Sequence, residues 1–348
     1  MTLKTLLAER LQRGITLVEH PYRAIASELG CDEAMVLTLT NELMREGYIR
    51  SFGAFIDFER LGYDSILCGI AVPEEHISSV GSALNERREV THNYLRGHSI
   101  NMWFTALLPK AGDSGANERD RFFGETLRTC EFPFIAAATV ARLKLRPNFR
   151  FSRDEYSEPS FEENPAASLE DDILDCRSDG RGPGAEPLNA ESLTALTLLQ
   201  RNFPVVPEPF ELAARKLERS VPQLLKRLRV LEEARILRRI GASLHHRRMG
   251  YNANALVAWT VNNDNTLDDV IDAGKRAAFF PWVSHCYVRR TIENTARHTW
   301  THTLYTMLHA SNESSLSEQI RAMRDVLVPR DVTILPTLQE LKKTRYFL

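Results

Sequence analysis

The sequence predicts an α+β protein built from two tandem modules, each a winged helix-turn-helix followed by a ferredoxin-like βαββαβ domain. Three observations predict it. First, the chain repeats itself. Gly47-Tyr48-Ile49-Arg50-Ser51-Phe52-Gly53-Ala54, followed by Leu61-Gly62-Tyr63, returns as Ala234-Arg235-Ile236-Leu237-Arg238-Arg239-Ile240-Gly241-Ala242, followed by Met249-Gly250-Tyr251. Val90-Thr91-His92-Asn93-Tyr94-Leu95-Arg96 returns as Val283-Ser284-His285-Cys286-Tyr287-Val288-Arg289. A period this long marks duplicated domains rather than a solenoid. Second, each copy opens with helical periodicity and then changes to the shorter period of strands. Third, the stretch between the copies is rich in Pro, Gly, Ser and acidic residues and poor in large apolar ones, the composition of a tether.

Taken in order, residues 1–50 read as the first helix-turn-helix. Ala24 to Leu29 is helical and stops at Gly30, a turn follows, and Glu33 to Glu46 carries apolar residues at 36, 39, 43 and 44. Residues 51–150 read as the first ferredoxin-like domain. Its strands are expected at Ser51–Phe58, Ser65–Val72, Val90–Arg96, Asn101–Leu108 and Ala141–Leu145, and its helices at Ile77–Glu86 and Arg121–Thr129. Residues 151–190 are the tether. Residues 191–240 repeat the helix-turn-helix. Phe210 to Leu217 is one helix; Ser220 is an N-cap, Pro222 suits the first turn, and Leu224, Leu225, Leu228 and Leu231 form an inner stripe. Residues 241–348 repeat the ligand domain, with strands at Ala242–His246, Ala255–Val261, Val283–Arg289 and Thr333–Leu335 and helices at Leu267–Phe279 and Leu316–Val326.

Composition narrows the classes of function. The chain has 348 residues and a formal net charge of −2, which gives nucleic-acid binding no help. No run approaches the roughly 18 apolar residues of a membrane span. Residues 1–4 do not begin a signal sequence, and Cys31, Cys68, Cys130, Cys176 and Cys286 show neither metal-ligand spacing nor a disulfide framework. A cytoplasmic protein with buried thiols is expected.

A helix-turn-helix, then Tyr48-Ile49-Arg50 with Gly53-Ala54, then a βαββαβ domain resembles the Lrp/AsnC family, twice over. Arg239 to Tyr251, the strand from Val283 to Arg289, Trp300 and the run Leu304-Tyr305-Thr306-Met307-Leu308-His309 resemble the B-type subunits of siroheme decarboxylases. Asn101-Met102-Trp103-Phe104-Thr105 resembles the A-type subunits. The chain departs from the B-type pattern at His302-Thr303-Leu304. The resemblance implies an internal pseudo-heterodimer of A-like and B-like halves acting on siroheme, in the route to haem d1 or in the alternative haem route. It implies no cofactor, because the iron tetrapyrrole is itself the substrate. Neither DNA nor a membrane is the expected partner, and a homodimer of the fused chain is left open.

The residue types suit such a substrate. Siroheme is a flat iron macrocycle with many carboxylates, so its pocket calls for guanidinium forks, flat apolar walls and imidazoles. These concentrate between Arg238 and His309. His246 and His285 are the candidate catalytic residues, as proton donors or as positioners of the reacting acetate; either could instead contact the substrate iron. Arg247, Arg289, Arg238, Arg96, His245, His302, Tyr287, Trp103 and Tyr305 are the candidate substrate-binding residues. On a strand His245 and His246 would point to opposite faces, and His285, Tyr287 and Arg289 would share one. His309, near a strand end, reads as a capping or exposed residue. The first copy is expected to add a wall through His92, Arg96 and Asn101 to Phe104. Two other classes compete: a DNA-binding regulator, disfavoured by Asp32, Glu33, Glu42 and Glu46 on the first candidate recognition helix, and a non-catalytic tetrapyrrole sensor.

Overall fold

A computed structural model supplies the fold and describes residues 2–110, 115–127, 132–144, 149, 188–261, 266–295, 300–344 and 346–348. The tether expected at 151–190 lies outside the described residues up to position 187.

The first half runs α1 (Leu3–Arg13), α2 (Pro21–Leu29), α3 (Glu33–Arg45), β1 (Ile49–Ile56), β2 (Tyr63–Ile70), α4 (Ile77–Glu86), β3 (Val90–Arg96), β4 (Met102–Pro109), α5 (Gly115–Thr126) and β5 (Phe134–Lys144). The second runs α6 (Ala190–Gln200), α7 (Glu211–Lys216), α8 (Val221–Glu233), β6 (Leu237–Leu244), β7 (Ala253–Thr260), α9 (Leu267–Ala278), β8 (Val283–Asn294), β9 (Leu304–Ala310), α10 (Glu313–Leu327) and β10 (Asp331–Lys343). The helix starts follow local chemistry. Asp32 accepts from the Met35 amide at the head of α3, and Ser220 with Gln223 forms a capping box at the head of α8.

The two helix-turn-helix units share one hydrophobic core, in which Leu7, Leu11 and Val36 of the first meet Leu196, Leu199, Leu224 and Leu228 of the second. Strands β1 and β6 were expected to open the ferredoxin-like domains. They instead pair antiparallel with each other as a separate two-stranded sheet, with Gly53 opposite Gly241. The exchange is reciprocal: the Ile15 amide donates to the Ile240 carbonyl, and the Phe203 amide donates to the Phe52 carbonyl. Both glycines are required by close approach. A Cβ on Gly53 would lie 2.5 Å from the Gln200 carbonyl oxygen, and one on Gly241 2.8 Å from that of Leu11.

The remaining eight strands close into one antiparallel barrel in the order β10-β3-β4-β2-β5-β8-β9-β7. Each half supplies four strands in the ferredoxin-like order, and the halves join edge to edge through β5–β8 and β10–β3. Closure removes the free edges that either half alone would expose. Helices cover the outside. Ile66, Cys68, Ile70, Met102 and Phe104 pack under α4 and α5, while Val257, Trp259, Cys286, Val288 and Leu304 pack under α9 and α10. Because side chains alternate along a strand, their neighbours point into the barrel.

Candidate active site

The barrel interior is divided. Its end farther from the helix-turn-helix layer is filled by Leu67, Ile100, Trp103, Ile135, Leu256, Ala258, Trp300, Tyr305 and Leu335. Trp103 donates its indole N–H to the Ile100 carbonyl at 2.7 Å, and Trp300 donates to the Tyr305 hydroxyl at 2.7 Å. The rings of Trp103 and Trp300 are tilted together at 5.2 Å. Trp103 and Tyr305, expected to touch ligand, are thus 1% exposed and form a closed apolar floor.

The other end is polar. Since Cys286 and Val288 face α9, strand β8 presents His285, Tyr287 and Arg289 inward, as alternation required. Strand β3 does the same with His92, Tyr94 and Arg96, because Asn93 faces outward to the Asn85 side chain of α4. The two half-sites repeat contact by contact. A hydroxyl sits 2.9 Å from each histidine Nδ1, Thr91 for His92 and Ser284 for His285. The rings of His92 and Tyr94 stack at 6.4 Å and those of His285 and Tyr287 at 6.3 Å. Arg96 lies 5.0 Å over the Tyr94 ring, and Arg289 4.6 Å over the Tyr287 ring.

Each arginine crosses the seam between the halves. Arg96 donates Nη1 to the Leu335 carbonyl and the Thr337 hydroxyl, both at 2.9 Å, and Arg289 donates Nη1 to the Ser65 carbonyl at 2.9 Å. Both guanidiniums are 4% exposed, yet among the described residues neither Nε–H has an acceptor. His92, Tyr94, His285 and Tyr287 are only half-buried although they line the inside of a closed barrel. This part of the interior is therefore space that solvent reaches.

Electrostatics follow from crowding cations in a confined place. Burial pushes the imidazoles of His92, His246 and His285 down to about 3, with Lys343 the next contributor for all three. Burial and the neighbouring His246, His285 and Lys343 hold His309 well below the ordinary histidine value. Burial lowers Lys343 to about 8 and Arg96 to about 10. Each hydroxyl also lies near a strand carbonyl, Ser284 3.2 Å from that of Met307 and Thr91 3.3 Å from that of Thr105, so its contact with Nδ1 orients the imidazole.

The loops that follow the two-stranded sheet flank the mouth of this polar end. His245 and His246 were expected on a strand; β6 ends at Leu244, and His246 begins a short 3-10 turn through Met249. The amide of His245 donates to the Tyr48 carbonyl, the last contact along the β1–β6 pair, and the chain then turns. His246 is 8% exposed, with its ring 4.9 Å from that of His309 and 6.0 Å from that of Phe149. His309, read as a capping or exposed residue, is 6% exposed and meets Phe149 edge-on at 4.9 Å. Gln12 holds Phe149 in place through both backbone groups, at 3.2 and 3.3 Å. Arg238 of β6 and Arg50 of β1 occupy equivalent places; Arg238 acts electrostatically on His285 and Tyr287, and Arg50 on His92 and Tyr94.

Two expected binding residues are not brought to this cluster. Arg247 is exposed on the 3-10 turn. His302 lies at the opposite end, beyond the aromatic floor, with Nδ1 2.9 Å from the Thr260 hydroxyl and Nε2 2.8 Å from that of Thr333. The register explains this: Asn254 and His309 pair at the mouth, whereas Trp259 and Leu304, beside His302, pair at the far end. Asn101 also serves structure, accepting from the Val72 amide and donating to the Val72 carbonyl. Sequence reasoning missed Tyr94, Lys343, Glu340, Arg50 and Phe149 as members of the cluster. The repeat of His-x-Tyr-x-Arg in both copies was the available signal for Tyr94.

Comparisons with known proteins identify the family and the fold. The AsnC-like ligand binding domain matches residues 60–116 and 248–342, and the siroheme decarboxylase NirDL-like HTH domain matches 4–50 and 194–238. The beta subunit of a siroheme decarboxylase from Oleidesulfovibrio alaskensis is 38% identical over 149 residues, 43% of this chain and 89% of that subunit. The chain belongs to the siroheme decarboxylase family. Another member, the siroheme decarboxylase of Hydrogenobacter thermophilus, is 29% identical over 335 residues, covering 96% of this chain and 91% of the relative. The crystal structure of the siroheme decarboxylase NirDL, which is also known in co-complex with an iron-uroporphyrin III analogue, shares the fold, with a TM-score of 0.65 at 24% identity over 99% of this chain and 93% of that one. Among the described residues no helix is long and apolar enough to cross a membrane.

Proposed function

We propose that this chain removes carbon dioxide, without redox chemistry, from two acetate side chains of siroheme to give didecarboxysiroheme. The observation that carries the reading is the pair of His-Tyr-Arg half-sites facing one another inside a barrel whose floor is apolar. A flat macrocycle carrying many carboxylates needs flat walls and guanidiniums on opposing sides. Arg96 and Arg289 suit it because each keeps an N–H without an acceptor among the described residues. Family membership supports the same reaction.

In the proposed mechanism Arg96, Arg289 and Arg238 hold substrate carboxylates, and Tyr94 and Tyr287 stiffen the forks of Arg96 and Arg289 by stacking. Carboxylates placed beside His246 and His285 favour the charged imidazoles, so these rings take up protons as substrate binds. The acetate C–C bond then breaks and carbon dioxide leaves. The bonding electron pair passes into the macrocycle, and an imidazolium returns a proton to the new carbon, leaving a methyl group. Each turnover thus consumes one proton per acetate and no reductant. A cytoplasmic setting is part of the reading, and the free thiols of Cys31, Cys68 and Cys286 are compatible with it. Anaerobic incubation with siroheme, followed by product mass, tests the proposal. The expected product has lost two carbon dioxide units; unchanged siroheme bound stoichiometrically would make the protein a carrier or sensor instead.

A further inference from the structure

The geometry points to Lys343 as the residue that anchors a substrate acetate at one pole of the barrel only, an inference that rests on the proposed function. Strands β5 and β10 end alike. Lys144 donates to the Ala278 and Phe280 carbonyls at 2.9 Å, and Lys342 donates to those of Asn85 and Arg87 at 2.7 and 2.8 Å. Each of these lysines closes the carboxyl end of a helix, α9 or α4, on the outside of the barrel. They are equivalents, so the residue after each should be equivalent too. It is Leu145 in the first copy and Lys343 in the second. At this position of the sequence the first copy therefore has an apolar residue and the second a cation.

That cation faces inward. Its backbone partner on β3 is His92, and its ammonium acts on His92, His245, His246, His285 and His309. Among the described residues its carboxylate partner is Glu340, 3.9 Å away and so beyond hydrogen-bond distance. Glu340 is engaged by both terminal nitrogens of Arg50. An ammonium half-buried among neutral imidazoles, with its ion pair at that length, suits an added carboxylate. The groups around it place that carboxylate beside His246 and His309, whose counterparts at the other pole are Phe58 and Leu107 of copy one.

The test compares an octacarboxylate and a tetracarboxylate tetrapyrrole, iron uroporphyrin III with its acetates and iron coproporphyrin III without them. Dissociation constants are measured by absorbance titration for the wild type, Lys343→Met and Lys343→Arg, with siroheme turnover followed in parallel. The expected result is a roughly tenfold or greater loss of affinity for the octacarboxylate in Lys343→Met, little change for the tetracarboxylate, and recovery in Lys343→Arg. Equal weakening for both probes, or no weakening for either, overturns the assignment. A wild type that fails to decarboxylate siroheme overturns the functional reading instead, so the two failures are told apart.

Discussion

Lowering the pH from 7.5 to 5.5 should destabilise the free protein by a predictable amount, and a polyanionic ligand should cancel much of the loss. His92, His246 and His285 are pushed by burial from the ordinary imidazole value to about 3. The folded state therefore refuses protons that the unfolded chain accepts. Stability from these groups is complete above the unfolded value of about 6.5 and is lost as the pH falls below it toward about 3. At pH 5.5 an unfolded imidazole is about nine-tenths protonated, which costs the folded state about 1.4 kcal/mol per residue, or about 4 kcal/mol for the three. Solvent inside the barrel makes this an upper figure. It corresponds to a fall in Tm of roughly 5–10 °C. Circular-dichroism melts at the two pH values measure it, and His285→Gln should remove about a third of the difference. Carboxylates beside these rings raise their folded pKa, so saturating iron uroporphyrin III should flatten the pH dependence. A Tm that is unchanged between the two pH values, or a slope that ligand leaves untouched, refutes the account of neutral, crowded histidines.

Three further outcomes are expected. His246→Ala and His285→Ala should each slow anaerobic decarboxylation of siroheme by roughly a hundredfold or more; full activity in both removes them from the chemistry. Gly53→Ala puts a methyl group 2.5 Å from the Gln200 carbonyl, a backbone atom that cannot step aside. Urea titration should show a loss of about 1–3 kcal/mol, and an unchanged midpoint would mean that the interlocked layers are not close-packed there. Arg142→Met strands Asp57, 1% exposed and 2.9 Å from the guanidinium, together with Glu59 at 3.0 Å. Removing one partner of such a buried set should cost about 3–5 kcal/mol, with part restored by adding Asp57→Asn.

Much of this was legible in the sequence because it is local. Helix α4 falls at Ile77–Glu86 as its apolar spacing predicts, Ser220 caps α8, and the duplicated junction residues mark both modules. Strand β8 shows His285, Tyr287 and Arg289 on one face because period-two alternation needs no tertiary information. What escaped is long-range or inverted in polarity. Nothing local says that β5 of one half pairs with β8 of the other. Strand β10 was expected at Thr333–Leu335 but extends to Lys343, because Pro336 and the run Gln339-Glu340 resemble a solvated end. They lie in a strand whose inward face meets a polar interior and whose ladder carries register shifts against β3. The same inversion hid His309, which sits near a strand end yet under Phe149.

The two halves share a binding frame and differ in what could do chemistry. Arg50 matches Arg238, and His92-x-Tyr94-x-Arg96 matches His285-x-Tyr287-x-Arg289, so the pseudo-dyad preserves the cationic frame, whose Arg96 and Arg289 are proposed to hold substrate carboxylates. The mouth loops do not match. From the equivalence of Gly53 and Gly241, Asp57-Phe58-Glu59 stands where the second copy has His245-His246-Arg247. Phe58 packs against Tyr63 and Tyr346 at 6.1 and 5.2 Å, just as His246 packs near Phe149 at one pole only. By the strand registers, Leu107 stands where the second copy has His309. A symmetric dimer must repeat every residue at both poles, and its site then offers both edges of a macrocycle the same chemistry. Joining the halves in one chain lifts that constraint, so imidazoles and Lys343 can gather at one pole while the other stays aromatic. Siroheme is itself asymmetric about its ring, and a site with one reactive pole can bind it in a preferred orientation through interactions that a two-fold site would make equal.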